Sequence, residues 1–193
     1  NAELRGLRPV HIGKGTQGDV YVLEGAPTPT VVKVTGDLSE AAACERLLRL
    51  GTAAPSCFPR VFGVYLTQHS RRPVIVIREM LSPLSAVSEL SVLVARNSAY
   101  FRHAEGSGRY SGMTRDLVAA FHRDFRLLTP TARAAVSNFF SALRDGIRCG
   151  LRNGDMGGGN NLMLRLSGAL PEMVVSDLGL TTVSGTALLP VLG

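Results

Sequence analysis

The chain has 193 residues, 45% of them hydrophobic and 19% charged, with 21 glycines and no tryptophan. That composition excludes a disordered polymer and suits one domain or two small lobes. The net charge is +6, but the arginines are scattered and no aromatic-interleaved basic stripe exists, so no nucleic-acid partner is expected; no apolar run reaches membrane-spanning length.

The first element reads as a strand running into Gly13-Lys14-Gly15-Thr16-Gln17-Gly18-Asp19-Val20-Tyr21, a G-x-G-x-x-G-x-V pattern. Three glycines so spaced let a hairpin turn lie close over a phosphate chain, because no Cβ blocks the backbone N–H groups. A Walker loop has the spacing of Gly13 to Gly18, but Asp19-Val20 stands where Lys-Ser/Thr belongs. A dinucleotide-binding turn must open a helix, whereas the next segments, DVYVLEG and PTPTVVKVT, are β-rich. Lys33 therefore sits on a third strand, from which it can reach phosphates.

Asp37 and Glu40 have the form of a capping box opening a helix that runs to Leu50, with Glu45 in its middle and Cys44 as a small core residue. Strands are expected near 58–66 and 73–81, the second ending in Arg78, Glu79 and Leu81. A helix is expected near 86–94, then a polar, glycine-bearing loop over about 97–112 as a candidate substrate-facing segment. The stretch 114–128 is amphipathic. It contains a literal His122-Arg123-Asp124, but Thr129 stands where asparagine would be needed, so these residues are expected on the surface. Thr129-Pro130 starts a long helix, with Val136, Phe139, Phe140, Leu143 and Ile147 on its core face. No metal-ligand spacing occurs among histidines and cysteines, and the three cysteines are unclustered, as in a reducing compartment.

Two further motifs follow in order. Asp155 and Asn160 form D-x-x-x-x-N within Asn153-Gly154-Asp155-Met156-Gly157-Gly158-Gly159-Asn160, ahead of the apolar NLML. Met173 to Ser176 reads as a short strand ending in Asp177-Leu178-Gly179. The ordered glycine loop, strand lysine, D-x₄-N and D-L-G make the chain resemble the protein-kinase superfamily from about His11 to Gly179. It departs from the pattern with Asn-Gly for His-Arg before Asp155, and with Leu178 for phenylalanine. The resemblance implies an α+β, minimal bilobal kinase-like fold, with a β-rich lobe over 1–80 and a reduced helical lobe over 81–193. It also implies ATP and magnesium. Gly13, Lys14, Gly15, Thr16, Gln17, Gly18 and Val20 would cover the nucleotide, and Lys33 would hold its α- and β-phosphates. Glu45 is the expected partner of Lys33, with Glu40 as the alternative. Backbone groups of Glu79 and Leu81 would meet the adenine edge, with Arg78 at the back of the pocket. Asp177 and Asn160 would hold the metal ions, and Asp155 would orient the acceptor hydroxyl and accept its proton.

Only fourteen residues follow Gly179, which leaves no room for an activation segment or for further helices. The chain is expected to be either a truncated fragment or a naturally minimal kinase; the minimal kinase, not switched by loop phosphorylation, is the favoured expectation. Size and motif forms are similar to those of the minimal effector kinases that plant-associated bacteria inject through type III secretion. That likeness implies a monomeric protein serine/threonine kinase acting in host cytoplasm on a host protein such as the heat-shock protein 90 chaperone. The alternatives are a small-molecule phosphotransferase of the aminoglycoside or choline kinase type, and a pseudokinase binding module.

Overall fold

The computed structural model describes residues 6–14, 18–67, 74–104, 113–153, 156–157, 161–179 and 181–184. Its first part is an antiparallel five-stranded sheet, in the order β1-β2-β3-β5-β4. The strands are β1 (Arg8–Lys14), β2 (Gly18–Glu24), β3 (Thr30–Thr35), β4 (Val61–Leu66) and β5 (Val74–Glu79). Runs of valine, isoleucine and threonine favour them, since branched side chains pack well on a pleated surface. The β1–β2 register shifts between His11 and Gly13, which bends the hairpin just before the glycine turn. Gly18 opens β2 against β3. A Cβ there would lie 2.5 Å from the Val34 carbonyl oxygen, so only glycine permits the approach.

Helix α1 (Leu38–Leu50) lies between β3 and β4 in the chain. Asp37 caps it, its carboxylate accepting from the Ser39 and Glu40 amides at 2.8 and 3.3 Å. Gly51, with φ +54°, ends it. Its buried stripe runs Glu40, Cys44, Leu47, one helical turn apart, and joins Val74 and Val76 of β5 in the core.

The second part begins with β6 (Ser82–Pro83) and contains α2 (Ser88–Arg96), α3 (Ser98–His103), α4 (Arg115–Arg126) and α5 (Pro130–Arg148). Thr129 caps α5 and Pro130 occupies its first turn, as expected. Val136, Phe139 and Leu143 are buried on α5, and Phe140 packs against them. At Gly146 a Cβ would meet the Phe58 ring at 2.6 Å, so glycine lets α5 close onto the segment before β4. The expected polar loop over 97–112 is corrected here: Ser98–His103 is helical. Phe101 is fully buried and Tyr100 stacks on Phe121 at 4.0 Å between centroids, so aromatic burial outweighs the local polar composition. Residues 105–112 lie outside the described residues.

Strands β7 (Leu151–Asn153) and β10 (Thr181–Val183) pair with each other, while β8 (Leu162–Arg165) lies between β6 and β9 (Glu172–Val175). The fold is thus α+β, a β-rich sheet with one helix joined to a mainly helical part. The two parts are tied by Val175 N–H donating to the Cys57 carbonyl at 2.8 Å and by the Arg46 guanidinium on the Cys149 carbonyl.

Candidate active site

Lys33 lies mid-strand on β3, opposite Val20 on β2 and Val76 on β5. Its ammonium is 2.7 Å from Glu40 Oε2 and 3.0 Å from Oε1, the hydrogen bond going to Oε1. The Glu40 side chain has no exposed surface, and its Oε2 has no hydrogen-bond partner among the described residues. A carboxylate so buried depends on its counter-ion. The pair therefore fixes where the lysine points.

This corrects the expectation for Glu45, which pairs instead with Arg49 one turn along the same helix. The physical reason is helix phase. Glu40 is one turn before Cys44 on the buried stripe, whereas Glu45 is rotated away from it. The capping-box role foreseen for Glu40 is also taken: the Asp37 amide donates to Thr35 Oγ1 at 3.1 Å, which leaves the Glu40 carboxylate for Lys33.

Asp177 follows β9 and stands half-exposed, its Oδ1 3.9 Å from the same ammonium. Its carbonyl and its carboxylate are each held. Asn153 Nδ2 donates to the Asp177 carbonyl at 2.7 Å and to Thr181 Oγ1 at 2.9 Å, and the Gly179 amide donates to Asp177 Oδ1 at 3.0 Å. Asparagine at 153 thus anchors the D-L-G turn, and Leu178 fills the core completely. Of the residues that depart from the pattern, Asn153 and Leu178 are both held in place, and Gly154 lies outside the described residues. The Ser39 hydroxyl, shared between Asp37 Oδ1 and the Gly179 carbonyl, ties the start of α1 to the same turn.

Lys33 and Asp177 line one cavity of ≈ 420 Å³, within the range of small-molecule sites. Gly13, Lys14, Gly18 and Val20 line it from the hairpin. Glu79 and Leu81 border it, and Met163 of β8 lies across from the sheet. Gly13 differs from Gly18: a Cβ there would meet nothing within 4 Å, so sheet packing does not demand this glycine. It leaves open space over the cavity. Gly15, Thr16, Gln17, Asp155 and Asn160 lie outside the described residues.

Two arginines give the site its own character. Arg78, foreseen at the back of the pocket, is buried and donates to the Ser176 carbonyl. Arg165, which no motif marked, donates to both Glu79 carboxylate oxygens, to the Ser56 and Phe58 carbonyls at 3.0 Å each, and to Glu172. Burial disfavours its charge, but the Glu79 and Glu172 carboxylates outweigh that and hold the guanidinium above its ordinary value. The signal that could have found it is an arginine continuing the apolar NLML run. The Glu79 amide donates to the Arg60 carbonyl at 3.0 Å and its carboxylate is held by Arg165, so both are already engaged.

Among the described residues no cluster of three or more histidine, cysteine, aspartate or glutamate is arranged for a metal ion. One half-exposed carboxylate at a cavity rim fits magnesium, which takes one or two carboxylates and completes its shell with phosphate and water oxygens. The His122-Arg123-Asp124 stretch is on α4, away from this cavity. Asn97 Nδ2 donates to Asp124 at 3.0 Å and, with Arg123 beside it, holds the carboxyl below its ordinary value.

No family model and no curated protein matches the sequence. Among solved structures, the PknI kinase domain of Mycobacterium tuberculosis is similar at 16% identity and a TM-score of 0.45, over 91% of this chain and 60% of its own. A point variant of the same domain is similar at 15% identity with a TM-score of 0.46, over the same shares of the two chains. Cex1p is similar at 10% identity and a TM-score of 0.48, over 94% of this chain and 27% of its own. The chain spans about three fifths of the length of the PknI domain.

Proposed function

We propose that this chain is an ATP- and magnesium-dependent protein serine/threonine kinase. The observation that carries the reading is the Lys33 ammonium, held by a fully buried Glu40 and 3.9 Å from a half-exposed Asp177 in a cleft edged by the glycine hairpin. A structural ion pair needs only two partners; a second, solvent-facing carboxylate beside the same lysine suits a site that receives phosphates and a cation.

In this reading Lys33 meets the α- and β-phosphates, and Glu40 keeps it from swinging away. Asp177 and Asn160 would hold magnesium, which when bound would neutralise phosphate charge. Asn153 keeps the Asp177 backbone in place. Asp155 orients the acceptor hydroxyl and takes its proton. Little covalent work falls to the protein, so positioning and charge supply the catalysis. The retention of lysine, glutamate and both aspartates favours an enzyme over a binding-only module.

The motif forms further support a bacterial effector delivered by type III secretion into a host cell. It would act there as a monomer in the cytoplasm, phosphorylating and inactivating a protein such as the heat-shock protein 90 chaperone.

The test is γ-labelled ATP and magnesium with a eukaryotic lysate, comparing wild type with Asp177→Ala and Asp155→Ala. Wild type labels a discrete protein band, and each variant loses at least about a hundredfold of the rate. Asp177→Ala also loses magnesium-dependent stabilisation by nucleotide, measured by thermal shift. Label confined to small molecules would favour the aminoglycoside or choline type instead. Equal labelling by wild type and Asp177→Ala would end the kinase reading.

A further inference from the structure

We propose that Arg78 makes this cleft accept guanine nucleotides alongside adenine nucleotides. The inference rests on the nucleotide reading above and concerns only which base the cleft admits.

Arg78 is the next-to-last residue of β5, with its Cα paired to Val31 on β3 and to Val61 on β4. Strand alternation puts it on the same side as Val74 and Val76, the side that packs against α1. It lies one row along the sheet from Lys33, whose β5 partner is Val76. Val20 and Val31 line the cavity from the sheet and Met163 lines it from β8, two apolar surfaces between which a flat base can lie. The edge of that base then meets Arg78 and the Glu79–Leu81 segment.

A guanidinium donates hydrogen bonds, never accepts them, and stays charged. Adenine carries an amino group at its 6-position, a donor facing a donor. Guanine and hypoxanthine carry an oxygen there, which accepts from Arg78 in a charge-assisted bond where little water competes. Only 9% of Arg78 is exposed, and one of its N–H groups is spent on the Ser176 carbonyl. The Glu79 amide cannot supply the bond to a 6-oxo group, because it donates to the Arg60 carbonyl. The Glu79–Leu81 backbone borders the same edge, and there adenine can find partners of its own. Both bases therefore find complementary groups, which a purely apolar residue at 78 would not provide.

The experiment measures competition of magnesium complexes of non-hydrolysable ATP, GTP and inosine triphosphate analogues on the full chain, for wild type and Arg78→Met. Inosine reports the 6-oxo group alone. Wild type binds the two 6-oxo nucleotides within about tenfold of ATP, a difference of roughly one weak hydrogen bond. Arg78→Met weakens both relative to ATP by roughly 10- to 100-fold, the range for a hydrogen bond to a charged group. Wild type preferring ATP by more than about a hundredfold overturns the inference and leaves the kinase reading intact. So does an Arg78→Met ratio equal to wild type. Absence of binding by every nucleotide sinks both. Should Arg78→Met fail to melt cooperatively, the wild-type ratio decides alone.

Discussion

Replacing Arg165 with methionine removes a guanidinium that joins β8, the end of β5 and the segment before β4. The Glu79 carboxylate, only 10% exposed, would keep the Arg60 amide at 2.8 Å as its donor, and the Ser56 and Phe58 carbonyls would lose theirs. Methionine fills the volume, so the loss is one of charge and hydrogen bonds, not of packing. Breaking a buried pair by removing one partner costs about 3–5 kcal/mol. At this chain length each kcal/mol lowers the melting temperature by about 2–4 °C, so a fall of roughly 6–20 °C is expected. The assay is thermal and urea unfolding of wild type, Arg165→Met, Glu79→Leu and the double variant. The double variant should lose less than the two singles together, with a coupling of about 0.5–3 kcal/mol, because no buried carboxylate is left stranded: Glu172, the other partner of Arg165, is 43% exposed. A loss below about 1 kcal/mol, the size of an exposed pair, would refute the reasoning. So would strict additivity.

Glu40→Gln removes the charge that holds Lys33 and should lower phosphoryl transfer roughly a hundredfold, the cost of a misplaced catalytic group; Glu45→Gln should leave it unchanged. A kinase assay in which Glu45→Gln is the damaged variant would reverse the assignment. Burial pushes the Cys44 and Cys57 thiols from 9.0 up to about 12, so in native protein at pH 8 a thiol reagent should modify Cys149 first and the other two only on unfolding. Unfolded thiols ionise near 9 and these native ones near 12, so their contribution to stability is whole below pH 9 and lost as pH rises toward 12. Rapid native labelling of all three cysteines would show that α1 and the segment before β4 do not enclose them.

The amino-acid sequence by itself determined the order of the motifs. Glycine spacing, a lysine between branched residues and an aspartate ending an apolar strand are local patterns, each set by what a turn or strand requires of consecutive residues. The α5 helix was equally legible, because Thr129, Pro130 and the phenylalanine spacing are local signals. Choices between near neighbours were not. Glu40 and Glu45 share one helix, and only the packing of α1 on β5 decides which of them turns toward Lys33. The polar surroundings of Ser98–His103 hid a helix whose burial depends on Phe121 and Phe140, far along the chain. Asn153 looked like a lost residue until folding put its amide against the Asp177 carbonyl. Arg165 and Glu79 are 86 positions apart, and no periodicity links them. Pairings of that kind arise from burial, which commits a charge to whichever partner the tertiary structure brings within reach, and burial is a property of the assembled core that no local run of residues carries.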